Sequence, residues 1–206
     1  MNLNNVSFKG GFNFLGLPDE DTNYETSKAV VLPVPYDGTT SYKPGTRDGP
    51  GAIVSASRNV ELYDHELCCE PINHGVHTLR ELEPDMSGPE AMITLVESAV
   101  EALIADRKFP VMLGGEHSLS FGAVRAMKKK YGCSFSVLQL DAHADLRDSF
   151  ENTRFNHASV MSRIIEEAPI TQVGIRNISK LELIKLQNQN HRGIFWSHDL
   201  QVPSNC

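Results

Sequence analysis

No stretch of 18 consecutive apolar residues occurs in this sequence, so nothing in it reads as a membrane-spanning helix. Cysteine is sparse. The four thiols, Cys68, Cys69, Cys133 and Cys206, are irregularly placed, which argues against a disulfide framework and for a reduced, cytoplasmic protein. The first 28 residues lack the apolar segment of a secretory leader. Clustered base is also missing: the one compact basic run is Lys128-Lys129-Lys130, and the net charge is −7. A polyanion partner needs grouped Lys and Arg to neutralise phosphate, so nucleic acid is excluded as a first reading. An acidic balance is compatible with a small cationic ligand. Neither internal repeats nor biased segments are present, which removes fibrous and low-complexity classes.

What remains is 206 residues with 40% hydrophobic composition, enough for one domain with a sizeable core. After an N-terminal extension over 1–27, the apolar, β-branched run at 28–34 predicts a buried strand. A loop over 35–50 follows, punctuated by Gly and Pro, and loops of that length inside domains tend to carry function. Helices are predicted over 51–59 and 87–107, the second from Ile93, Val96, Val100 and Leu103 at helical spacing. Strands over 109–113, 135–141, 171–175 and 193–196 then alternate with helices over 119–130, 158–167 and 179–188. That alternation predicts an α/β domain with a parallel sheet, in which ligands sit beyond the carboxyl ends of the strands.

Two strand ends carry unusual chemistry. Gly114-Gly115-Glu116-His117-Ser118 follows one strand, and Asp141-Ala142-His143-Ala144-Asp145 follows another. Alternate residues of an extended chain point the same way, so Asp141, His143 and Asp145 are able to converge. Packed together without a cation, such groups would repel and desolvate one another. Carboxylates with imidazoles, and no thiolate nearby, suit Mn, Fe, Co or Zn. A bridging carboxylate such as Asp141 would allow two ions and a water activated between them. Cys68-Cys69 with His74 and His77 lacks the two-residue gap of a zinc knuckle and reads as a loop with buried thiols. His198-Asp199 reads as a solvated pair and Trp196 as core.

These two motifs resemble the first two signatures of the ureohydrolases, the binuclear manganese family that includes arginase, agmatinase and formimidoylglutamase. The resemblance runs from about Val31 onward. Tyr36-Asp37-Gly38-Thr39-Thr40, Pro44-Gly45-Thr46-Arg47, Asn156-His157-Ala158-Ser159 and Val173-Gly174-Ile175-Arg176 look most like the agmatinase branch. The resemblance implies a three-layer α/β/α fold with a mainly parallel sheet. It implies that His117, Asp141 and Asp145 bind one manganese, that Asp141 and His143 bind the other, and that His157 is catalytic, passing a proton to the leaving amine. Two Mn(2+) per complete subunit, a homo-oligomer when complete, and a small guanidino substrate follow from the same likeness. The implied reaction is hydrolysis of agmatine to putrescine and urea by a hydroxide bridging the two ions. Arg47 and Arg176, being cationic, are expected in ion pairs rather than on a guanidinium.

The family's third signature, a strand ending in Asp-x-Asp, and a later acidic residue that grips the guanidinium are not found in the 206 residues. The expectation is therefore a partial ureohydrolase domain over 28–206, incomplete at its C-terminus, and inactive when isolated. Two alternatives stand beside it: an inactive remnant or metal-binding subunit, and an enzyme acting on arginine, guanidinobutyrate or formiminoglutamate.

Overall fold

Strand β1 (Ala29–Val34) is buried along nearly its whole length, the pattern of a central parallel strand covered on both faces. The computed structural model describes residues 11–188 and 193–200, so Cys206 and the rest of the tail fall outside the described residues. Two compact units make up the chain. The first holds the residues up to Asp37 with 45–84 and 102–115; the second holds 38–44, 85–101 and everything from Glu116 on.

In the first unit β1 lies between β2 (Val76–Thr78) and β3 (Phe109–Gly114), and both pairings are parallel. Val31 stands opposite Thr78 on one side and Val111 on the other. Helix α1 (Gly49–Ser57) starts with Pro50 in its first turn, where a missing N–H costs nothing. Beyond the end of β3, Gly115 donates its N–H to Val34 O at 3.0 Å. A β-carbon at Gly115 would stand 1.9 Å from the Tyr36 carbonyl oxygen, so no other residue fits this turn.

The second unit carries a sheet in the order β4 (Val137–Leu140), β5 (Ile170–Ile175), β6 (Ile194–Trp196), again all parallel. Helices α3 (Ser120–Tyr131), α4 (Val160–Glu167) and α5 (Lys180–Asn188) share a core with it. A core of Ile93, Phe121, Leu146, Met161, Ile164, Ile175 and Leu186 fills its interior, with Trp196 packed partly buried against it as expected. Ile93 comes from α2 (Pro89–Ala105), which approaches α3 so closely that a β-carbon at Gly122 would lie 2.5 Å from Ile93 O. Glu97, buried on α2, forms ion pairs with Arg125 at 2.9 Å and Lys129 at 2.7 Å, and Lys129 also pairs with Glu101. Lys128 donates to Glu167 O at 2.6 Å. Lys128 and Lys129 of the basic run thus tie neighbouring elements together.

The α/β class and the parallel pairing are as the sequence predicts. The strands form two three-stranded sheets among the described residues, however, because β3 and β4 each take a partner on one side only. Leu138 and Leu140, on β4, are 62% and 73% exposed, an apolar strip on a free edge strand. β2 is additional to the predicted strands, because three residues with a central His carry too little pattern. Cys68 and Cys69 are exposed, not buried. They lie in a surface turn closed by an antiparallel bridge between Asp64 and Cys69, with Cys68 at φ 53°.

Candidate metal centre

The chain leaves β4 at Leu140, and from there the backbone of 141–145 is anchored to the end of β5. Asp141 N–H donates to Val173 O, Ala144 N–H to Asn177 O, and the N–H groups of Arg176 and Asn177 both donate to Ala142 O. Arg176 thus contributes its backbone here. The fit depends on Gly174, at φ 90° where β5 shifts register, with Asp141 O 3.3 Å from where a β-carbon would be. This accounts for glycine in the Val173-Gly174-Ile175-Arg176 motif.

Asp145 has φ 51°, an uncommon backbone state for a non-glycine residue. It is held there from both sides. Its carbonyl accepts from Met161 N–H at 3.0 Å and Ser162 N–H at 3.3 Å in the first turn of α4, and the next amide, Leu146 N–H, donates to Glu182 Oε1 at 2.8 Å. Glu182 is itself fixed by a reciprocal cap at the start of α5, accepting from Ser179 N–H at 2.8 Å while its own N–H donates to Ser179 Oγ at 3.3 Å. So constrained, Asp145 puts Oδ2 2.9 Å from His117 Nδ1.

His117 opens a short turn before α3. Glu116 caps that turn: its carboxylate accepts from Ser118 N–H at 2.7 Å and Ser118 Oγ–H at 2.5 Å, so this acidic residue of the motif is spent on structure. Burial would lower the His117 pKa. The hydrogen bond to Asp145, with the charges of Asp145, Asp141 and Glu116, outweighs it and raises the value.

His117, Asp141 and Asp145 bring one ligand atom each to within 4.8 Å of one another, all half-buried. His143 is not in that group. It is 60% exposed, with Nδ1 3.6 Å from Asp141 Oδ1, while His117 Nδ1 stands 3.6 Å from Asp141 Oδ2. Strict alternation past Leu140 therefore overstated the convergence of Asp141, His143 and Asp145: the strand ends before Asp141, and Asp145 is turned by its positive φ. The two oxygens of Asp141 nevertheless face two different imidazoles. Two carboxylates and an imidazole gathered this closely at a cavity fit a divalent cation preferring mixed oxygen and nitrogen donors.

A cavity of about 720 Å³ contains the cluster, with His143, His157, Ser41, Tyr42 and Phe150 in its wall. The loop over 35–50 contributes Ser41 and Tyr42 to that wall. His157 N–H donates to Thr39 Oγ1 at 3.1 Å, its Nε2 lies 3.4 Å from Ser41 Oγ, its ring stands edge-on to Phe150 at 5.8 Å, and its Nδ1 is buried without a hydrogen-bond partner. Arg47, as expected, is in an ion pair, 2.5 Å from the buried Asp37, which also accepts from Gly45 N–H. That guanidinium, more than the cost of burial, holds the Asp37 carboxyl below its usual range. His198 and Asp199 form an exposed pair at 3.3 Å.

Comparison with known proteins gives the same direction. The arginase family model matches residues 27–202. An N(1)-aminopropylagmatine ureohydrolase from Synechocystis sp. is 38% identical over 186 residues, covering 87% of this chain and 60% of the relative. An agmatinase from Pyrococcus horikoshii is 34% identical, with 82% and 58% covered. Among solved structures, the agmatine ureohydrolase of Thermoplasma volcanium superposes with a TM-score of 0.78 at 33% identity, over 95% of this chain and 64% of that one. The chain thus spans about 60% of the length of the curated relatives it matches. On motif, fold and family match together, this chain belongs to the arginase family, in the branch of the agmatinases and aminopropylagmatine ureohydrolases.

Proposed function

We propose that this chain carries the first part, 28–206, of the catalytic domain of a metal-dependent ureohydrolase that cleaves agmatine, or its N(1)-aminopropyl derivative, to urea and the corresponding amine. One observation carries the reading: His117, Asp141 and Asp145 converge within 4.8 Å on a cavity that His143 and His157 also line. The aminopropyl derivative enters through the Synechocystis relative, whose name specifies it. Net charge −7 is compatible with either cationic substrate.

In this reading His117, Asp141 and Asp145 hold one Mn(2+), and Asp141 with His143 contributes to a second. Bound there, divalent metal supplies the Lewis acidity that makes water nucleophilic near neutral pH. That is what a guanidinium requires, because its central carbon is resonance-stabilised and resists neutral water. Asp145, clamped at its backbone, keeps its carboxylate beside His117 without reorganisation. His157 holds a proton at Nε2 and passes it to the departing amine, which cannot leave unprotonated; an imidazole is suited to that exchange near neutral pH. Ser41, 3.4 Å from Nε2, orients the ring. The complete protein acts as a cytoplasmic homo-oligomer.

Four side chains are too few for two ions, so the 206 residues alone give weak Mn(2+) binding and little hydrolysis. The test is urea release with and without Mn(2+) on agmatine, N(1)-aminopropylagmatine, arginine and guanidinobutyrate, with formamide followed for formiminoglutamate. It is run on this chain and on a chimera that adds the stretch of the Synechocystis relative outside the match. Mn(2+)-dependent urea from agmatine or its aminopropyl derivative, in the chimera alone, is the expected result. Strong urea release by the unextended chain contradicts the partial-site account. A chimera that folds and binds Mn(2+) but hydrolyses none of the five contradicts the enzymatic one.

A further inference from the structure

Beneath Asp141 the sheet interior holds two glutamines where apolar side chains would be expected. Gln139 on β4 and Gln172 on β5 stand directly opposite in register, 6% and 0% exposed. Their amides form a directed relay. Gln172 Nε2 donates to Gln139 Oε1 and to Ala144 O, the latter at 2.8 Å. With its oxygen thus occupied, Gln139 turns Nε2 outward, donating to Asp141 Oδ2 at 3.2 Å and His143 O at 3.3 Å. The other oxygen of Asp141 accepts from His143 N–H at 2.9 Å. Each carboxylate oxygen therefore has one protein donor, which fixes the plane of the group and leaves lone-pair capacity on both oxygens, toward His117 and toward His143.

We propose that Gln139 is a positioning residue for the metal centre, its amide orientation set by Gln172, and that the pair holds Asp141 in the plane from which it serves both imidazole sides. This deepens the metal-centre reading above and rests on it. Gln172 Oε1 is buried without a partner, a cost that an apolar pair at these positions would not carry. Outer groups of this kind orient ligating side chains, and their loss typically weakens metal binding by 10–100-fold.

The test compares the unaltered chain with Gln139→Met and Gln172→Met, which keep length and remove the amide. Ile170→Val is the control, trimming the same sheet's core without touching the relay. Mn(2+) affinity and the line shape of bound Mn(2+) are read by electron paramagnetic resonance, and thermal midpoints are recorded for each. About tenfold weaker binding and an altered line shape in both Met variants, with Ile170→Val unchanged, is the expected result. Unchanged affinity and line shape in Gln139→Met overturn the proposal, as does weakening that merely tracks the thermal midpoint across all three. A second arm needs no metal: side-chain amide exchange by nuclear magnetic resonance. Gln139 should exchange slowly in the unaltered chain and rapidly in Gln172→Met; exchange in the unaltered chain as fast as that of the exposed Gln187 overturns the relay. Failure of the unaltered chain to bind Mn(2+) counts against the metal-centre reading instead, and the exchange arm then decides the relay by itself.

Discussion

His117 Nδ1 and Asp145 Oδ2 meet at 2.9 Å although 28 positions separate them in sequence. Neither reaches the other by local geometry. His117 is delivered by a turn that Glu116 caps, and Asp145 by a backbone twisted to positive φ and pinned between α4 and Glu182. The chemistry of the site is therefore only as firm as those clamps, and several consequences can be measured.

Glu182→Ala should destabilise the chain by about 2 kcal/mol. It strands two amides, the buried Leu146 N–H and the half-buried Ser179 N–H, and each unmet donor costs about 1–3 kcal/mol with partial recovery through water. A urea denaturation midpoint shows this. Because Asp145 loses the anchor of its neighbouring amide, Mn(2+) affinity should fall by more than the stability change alone produces.

Gly115→Ala should cost about 4 kcal/mol or prevent folding. The clash is with the Tyr36 carbonyl, which is backbone and cannot swing aside. Soluble yield and far-ultraviolet circular dichroism are sufficient to see it.

Tyr24 should titrate well above an ordinary tyrosine. Its hydroxyl donates to Asp106 Oδ2 at 2.6 Å, and that hydrogen bond, with burial and the charges of Asp106 and Glu25, pushes its pKa to about 12 from an ordinary 10. Since the folded value lies above the unfolded one, the stabilisation is fully present below pH 10 and is lost as pH rises from 10 through about 12. Absorbance of tyrosinate should show a step near pH 12 that Tyr24→Phe removes; a late absorbance unchanged by Tyr24→Phe contradicts the assignment.

Leu138→Lys with Leu140→Lys should reduce self-association without loss of stability beyond about 0.5 kcal/mol, because both side chains are largely exposed on a free edge strand. Sedimentation of the chain and of the double variant separates the cases. Equal association in both places the sticky surface elsewhere.

How much of this was readable beforehand varies with the physics. The long strands and helices were legible because apolar runs and helical spacing are local signals; β2 was not, since Val76-His77-Thr78 is too short to show a period. The division of the strands into two sheets depends on which edges pair, a matter of tertiary contact. The candidate-site residues stand out in the sequence because Asp, His and Asp at a strand end are chemically unusual. Their arrangement does not: the strand stops at Leu140, Asp145 takes a positive φ, and His143 is left 60% exposed beside Asp141. Gln139 and Glu182 do not resemble site residues by type alone. Signals existed for both, in a glutamine two residues before Asp141 within an apolar run and in a Ser-x-x-Glu cap at Ser179.

Mn(2+) binding to the unaltered chain and to Asp141→Asn tests the central claim most directly, since Asp141 faces both His117 and His143. Saturable binding that falls at least tenfold in Asp141→Asn, with the thermal midpoint of the metal-free protein retained, is the result this account expects. Equal binding by the two proteins, or none by the unaltered chain, would contradict it.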